Sequence, residues 1–237
     1  MSPGSTPSDH LPPPRWMLAR EGLALGARVW RAFGHLGERG PSAGPPAMVV
    51  PGFLASDRTT LGLQRALAEA GYRSSGWSLG WNRGARADTL DRLAGRVERF
   101  GGGRPVLLVG WSLGGIFARA LANCRPDLVA GVATLGSPFS GDPRANNVWR
   151  LYELIAGHSV DRPPLEADYR TKPPVPTLAL WSRNDGIVAP AAARGLPHES
   201  DAQVELSCTH MGFAVAASAY PAIVAEIRQL AKLGSSR

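Results

Sequence analysis

A chain of 237 residues with 44% apolar side chains can bury one sizeable core, so the sequence predicts a single domain. Its net charge of +7 rests on 24 arginines and 2 lysines scattered without a basic block, which argues against a nucleic-acid partner. No apolar run reaches the roughly 18 residues of a membrane span, the first residues lack the apolar stretch of a secretory leader, and Cys124 and Cys208 suit a reducing compartment; a cytoplasmic protein is expected, with both cysteines as small buried hydrophobes, no disulfide and no metal cluster.

Residues 1–14, MSPGSTPSDHLPPP, are rich in proline and nearly devoid of large apolar side chains, which predicts a flexible tail. Residues 15–44 are expected to form a helical segment. From Trp16 to Leu36 the apolar Trp16, Leu23, Val29, Trp30 and Phe33 interleave with Arg15, Arg20, Arg28 and Arg31. Such a helix would pack across the flank of a sheet, and it also suits peripheral contact with a membrane surface; Gly22 and Gly26 weaken it.

Over residues 45–237 short apolar runs alternate with helical patterns, the signature of a parallel sheet wound on both faces. Ala47 to Val50 reads as the first strand, ending at Pro51-Gly52, after which Ser56 or Asp57 can cap a helix that stops at Gly71. Tyr72 to Leu79 reads as the second strand. A helix follows from Asp88, striped by Leu90, Leu93, Ala94 and Val97 and ended by Gly101-Gly102-Gly103. Pro105 to Val109 is as apolar as a central strand covered on both faces should be, and Leu113 to Asn123 continues as a helix. Leu128 to Leu135 supplies a fourth strand. Residues 139–174 form a polar, proline-containing insertion with an amphipathic piece at Val148 to Ile155, equally suited to a lid or a plain surface connection. Thr177 to Trp181 and Gln203 to Leu206 complete six strands, joined by a short crossover at Pro190 to Gly195, and a helix from Pro221 striped by Ile223, Val224, Ile227 and Leu230 closes the chain.

The pentapeptide GWSLG occurs twice, at Gly76–Gly80 and at Gly110–Gly114, and both copies fit G-x-S-x-G, the turn on which hydrolases present a nucleophilic serine. With 28 glycines in the chain the pattern arises easily, so context decides. Such a turn needs a strand before the serine, a helix directly after it and small residues that let the two approach. Ser112 has all three, whereas Ser78 is followed by the loop Gly80-Trp81-Asn82-Arg83-Gly84 and reads as a strand-end residue.

A serine hydroxyl needs a histidine to take its proton and a carboxylate to orient that histidine. His10 and His35 precede the sheet, His158 lies in the insertion and His198 in a polar loop; only His210 directly follows the last strand. Asp185, in Ser182-Arg183-Asn184-Asp185-Gly186 after the preceding strand, completes the order Ser, Asp, His, with Asp142 and Asp201 as fallback carboxylates. For the oxyanion, the expected N–H donors are Leu113 and Phe53, with Leu54 in reserve. Phe53, Leu54, Phe139 and Trp149 are candidates for an apolar acyl pocket.

In VVPGFLASD, GWSLGG, LGSPFSGDPRANN, SRNDGIV and CTHMGF, in that order, residues 47–230 resemble the α/β-hydrolase superfamily, and within it the compact bacterial lipases and esterases. The resemblance implies a doubly wound sheet, the triad Ser112, Asp185 and His210, and hydrolysis of a small-molecule or lipid carboxylic ester with no cofactor. Two departures stand out: Pro51-Gly52 occupies the oxyanion loop where many esterases carry His-Gly, and Cys208-Thr209 precedes the histidine where close relatives carry Gly-Ser. Acyltransferase, amidase, thioesterase and polyester depolymerase would use the same triad. A non-catalytic binding protein on this fold would ordinarily have lost a triad residue.

Overall fold

The computed structural model describes residues 10–26, 37–162, 164 and 167–235. Among these described residues six strands, β1 (Pro46–Val50), β2 (Arg73–Gly76), β3 (Val106–Trp111), β4 (Val129–Leu135), β5 (Thr177–Trp181) and β6 (Ala202–Glu205), form one sheet in the order β2-β1-β3-β4-β5-β6. Every pairing is parallel. The chain therefore winds from β1 outward to the edge strand β2, returns past β1 to β3 and continues to β6. The direction of winding reverses between β1 and β3, and a parallel sheet opens a crevice at the carboxyl ends of its strands at such a point.

Alternation along each strand sends successive side chains to opposite faces. Ala47 and Val49 of β1 and Leu107, Val109 and Trp111 of β3 join one buried core with α2 (Leu61–Glu69), α7 (His210–Val215) and α8 (Tyr220–Ser235). Met48, Val50, Val106 and Leu108 join the other, with α3 (Thr89–Gly101) and α4 (Leu113–Cys124). A side chain such as Leu108, with no exposed surface, contributes about 1.5–3 kcal/mol by leaving water.

Several local expectations are revised. Asp57 does not cap α2, whose N-cap position is Thr60, with no side-chain cap bond; the Asp57 carboxylate instead accepts hydrogen bonds from the Trp77 and Ser78 N–H groups, each at 3.0 Å. Burial pushes its pKa up, and these two donors and Arg96 offset the shift only in part. Cys124 is exposed, because it ends α4 beyond the helix's packed face; Cys208 is half-buried and both are free. The second strand is shorter than expected, since Asp57 claims the backbone beyond Gly76. Pro190–Arg194 forms a short helix, α6.

The N-terminal helix α1 spans Arg15–Gly26 and packs on α7. Met17 and Glu21, one turn apart, are buried, while Trp16 is exposed. Val29, Trp30, Phe33 and His35 lie outside the described residues. The insertion 139–174 includes the helix α5 (Trp149–Ala156). Asn147 ties it down by donating to the carbonyls of Gly186 and of Pro13, at 2.9 and 2.8 Å. The buried Arg119 of α4 holds the insertion's far end, donating to the carbonyls of Tyr169, Arg170 and Thr171 and also to that of Glu199. Among the described residues no helix is long and apolar enough to cross a membrane, and no group of three or more His, Cys, Asp or Glu could hold a metal ion.

Candidate active site

Ser112 stands between β3 and α4 with φ 54° and ψ −123°, a conformation that costs a side-chain-bearing residue energy and is kept only where its surroundings enforce it. Two glycines provide that enforcement. A β-carbon on Gly110 would lie 2.5 Å from the Gly114 oxygen and the Gly115 nitrogen, and one on Gly114 would lie 2.8 Å from the Pro51 oxygen, so strand, helix and the loop after β1 meet here at backbone distance. The Ser112 N–H donates to the Leu135 carbonyl at 2.9 Å, which ties the turn to the end of β4.

Ser78 also has a positive φ, 57°. A positive φ at the serine is thus common to both copies of GWSLG and does not distinguish them. What differs is the surroundings. A β-carbon on Gly80 would meet nothing within 4 Å, no helix begins until Thr89, and the first turn is held from outside by Asp57.

His210 opens α7, whose N-cap Thr209 accepts from the Gly212 N–H at 3.1 Å. The imidazole Nδ1 lies 2.7 Å from Asp185 Oδ2, with both side chains almost wholly buried. The other carboxylate oxygen of Asp185 accepts from the Ile187 and Val188 N–H groups, each at 2.8 Å, which fixes its plane. Because a carboxylate only accepts, Nδ1 carries the proton and Nε2 the lone pair. Among the described residues Nε2 has no hydrogen-bond partner. Trp111 joins this pair to the serine turn: its Nε1–H donates to the His210 carbonyl at 3.0 Å, and the two rings lie 5.6 Å apart. Burial by itself would push the imidazole pKa down, but the Asp185 charge, the hydrogen bond to it and the charge of Glu21 together raise it above the ordinary 6.5.

The remaining candidates fall elsewhere. His158 contacts the Ala85 carbonyl, at 3.0 Å, and His198 and His10 are exposed. Asp201 accepts from the Thr177 N–H and hydroxyl at the start of β5, away from the strand ends that carry the site, and Asp142 is exposed. The N–H groups of Phe53 and Leu113 have no acceptor among the described residues, whereas Leu54 N–H donates to the Asn82 carbonyl at 2.7 Å and is engaged. Gly52 abuts the serine turn: a β-carbon there would lie 3.0 Å from Ser112 Cβ.

An apolar cleft of about 660 Å³, including the solvent at its mouth, opens beside Ser112, with Phe53, Leu113, Trp149, Tyr152 and Tyr169 in its wall. The Phe53 and Tyr152 rings meet at 5.1 Å. Of the other pocket candidates, Phe139 is buried behind this wall, under the Arg119 guanidinium 4.1 Å from its ring, and Leu54 faces solvent at 39% exposure. Burial lowers the Arg119 pKa to about 10.

No family model matches the chain, and no curated protein matches it in sequence. Solved structures do match. Lip1 from Acinetobacter baumannii AYE superposes with a TM-score of 0.59 at 16% identity, over 97% of this chain and 99% of its own. A lipase-esterase related protein from Clostridium acetobutylicum ATCC 824 gives 0.59 at 15% identity, over 83% and 98%. A thermophilic esterase from Thermogutta terrifontis gives 0.54 at 20% identity, over 82% and 92%. The fold is that of the α/β hydrolases.

On this α/β-hydrolase sheet, sequence reasoning missed two residues that shape the site. Asn82, two residues past the first GWSLG, is buried and donates from Nδ2 to the Pro51 carbonyl at 2.8 Å, while its own N–H donates to Ala55 O at 2.8 Å; it clamps the loop that carries Phe53. Glu21 reaches the site from α1. Neither has a local signal, since Asn in a glycine-rich loop reads as turn chemistry and Glu in an arginine-bearing helix reads as solvated surface.

Proposed function

We propose that this chain is a serine hydrolase that cleaves carboxylic esters through an acyl-enzyme. The observation that carries the reading is the buried His210–Asp185 pair at 2.7 Å, joined through Trp111 to a strained Ser112 that faces an apolar cleft. In this reading His210 Nε2 takes the proton from Ser112 Oγ, which attacks the ester carbonyl. The tetrahedral oxyanion is met by the N–H groups of Phe53 and Leu113. The imidazolium then protonates the leaving alcohol, and water, activated by the same imidazole, releases the acid. Asp185 keeps the proton on Nδ1 and stabilises the imidazolium.

The cleft wall favours an apolar acyl group in a small-molecule or lipid ester, and the structural neighbours described as esterase or lipase-esterase related support the ester bond as target. Exposed Trp16 on α1 supports peripheral contact with a membrane. The test uses p-nitrophenyl esters of graded chain length with fluorophosphonate labelling. Ser112→Ala is expected to lower kcat by about 10⁴–10⁶-fold and abolish labelling, and Ser78→Ala to leave both intact. Equal turnover by wild type and Ser112→Ala would reject the reading. Product analysis with competing alcohols separates hydrolysis from acyl transfer.

A further inference from the structure

Glu21 is an acidic residue on the buried face of α1, the helix packed on α7. It is 3% exposed, and its carboxylate accepts from backbone donors in the two loops that carry the proposed acid and base. Oε1 accepts from the Gly186 N–H at 3.0 Å, immediately after Asp185, and from the N–H of His210 itself at 2.8 Å. Oε2 accepts from the Met211 N–H at 2.8 Å. These bonds span 165, 189 and 190 residues of sequence. The contact is built closely: a β-carbon on Gly186 would lie 2.6 Å from the Met17 oxygen and 3.1 Å from Glu21 Cγ, so only glycine admits α1 at this distance.

Resting on the hydrolase reading above, we propose that Glu21 is a positioning residue for the reaction, which locks the loop of Asp185 to the loop of His210 and places a second buried carboxylate against the His210 backbone. A buried carboxylate with three donors fixes both loops rigidly, because each donor would otherwise be an unsatisfied backbone group at a helix start or a tight turn. The charge acts because the surroundings are dry, where a fixed charge a few ångströms away is poorly screened. The charged groups acting on His210 are Asp185 and Glu21. Cys208, on the same loop, is neutral, its thiol pushed up to about 12 by burial and by these two carboxylates. Arg20 of α1 and Arg65 and Glu69 of α2, the other helix packed on α7, are exposed.

Two variants separate geometry from charge. Glu21→Gln keeps an oxygen for Gly186 and His210 but removes the charge and sets an amide N–H₂ against the Met211 N–H. Its imidazole titration, followed by NMR of the folded protein, is expected to move down by about 0.5–1 pH unit, and the acidic limb of kcat/KM moves down with it. Glu21→Asp keeps the charge but is one methylene short. It is expected to leave the acidic limb near the wild-type position and to lower kcat about 10–100-fold with KM little changed. Met17→Ala, on the same face of α1, should lower thermal stability and leave the titration where it was. An unmoved titration in Glu21→Gln, or wild-type kcat in Glu21→Asp, would overturn the proposal. The NMR titration needs no turnover, so an inactive, unlabelled wild type whose His210 still responds to Glu21→Gln would reject the hydrolase reading alone.

Discussion

The loop carrying Phe53 has few hydrogen bonds within itself and depends on Asn82. In Asn82→Ala the buried Pro51 carbonyl loses the donor now at 2.8 Å, and the Gly84 N–H loses the Asn82 Oδ1 acceptor at 3.2 Å. A buried backbone group left unpaired costs about 1–3 kcal/mol, and the longer Gly84 bond belongs at the low end, so about 2–4 kcal/mol in all is expected. For a domain of this size that lowers Tm by roughly 5–15 °C, readable by thermal unfolding. The main-chain bonds of residue 82 to Leu54 and Ala55 survive the substitution, so the loop loosens rather than detaches. Since removing an oxyanion donor outright costs about 10²–10³ in kcat, a loosened one should cost about 10–100-fold, with KM nearly unchanged. Asn82→Asp sharpens the test. It sets a carboxylate against the Pro51 oxygen, so its folded pKa is raised above the unfolded value. The stability it retains is therefore present at low pH, where the protonated acid can donate, and is lost as pH rises through that folded pKa. Unchanged Tm in Asn82→Ala would refute the hydrogen-bond argument; a lowered Tm with wild-type kcat would refute the placement of the oxyanion donor at Phe53.

Other consequences follow from the same geometry. Gly110→Ala pushes a β-carbon into the first turn of α4, at an expected cost of about 1–3 kcal/mol and about 100-fold in kcat, checked by unfolding and ester turnover. Because His210 must be neutral to act as base and its pKa is raised, kcat/KM should climb through a limb above pH 6.5. Asp185→Asn should move that limb down while costing about 10⁴ in rate. In stability the sign is the reverse of a carboxylate's: the contribution of the raised imidazole is full below pH 6.5 and fades as pH rises through the folded value, which pH-dependent denaturation of His210→Ala against wild type would show. Arg119→Met leaves four carbonyls without their guanidinium and should destabilise by about 3–5 kcal/mol, with the wall formed by Tyr169 loosening first, visible as faster proteolysis of 169–171.

The sequence by itself determined the alternation of strand and helix, because a strand covered on both faces must be apolar throughout and a helix must be apolar on one stripe; Val106–Trp111 and Leu113–Cys124 are recognisable on that ground alone. It also determined which histidine and which aspartate follow strand ends, and the structure brings His210 and Asp185 within 2.7 Å. It could not tell that both GWSLG serines take a positive φ while only Ser112 is crowded by β1 and α4, since a pentapeptide does not record the neighbours that pack against it. Nor could it assign Asp57, Asn82 or Glu21. Each is a polar side chain with a backbone partner 20 to 190 residues away, and no periodicity records such a pairing. Tertiary structure alone decided them, because an unpaired polar group is tolerable in water and intolerable once packing has removed the water.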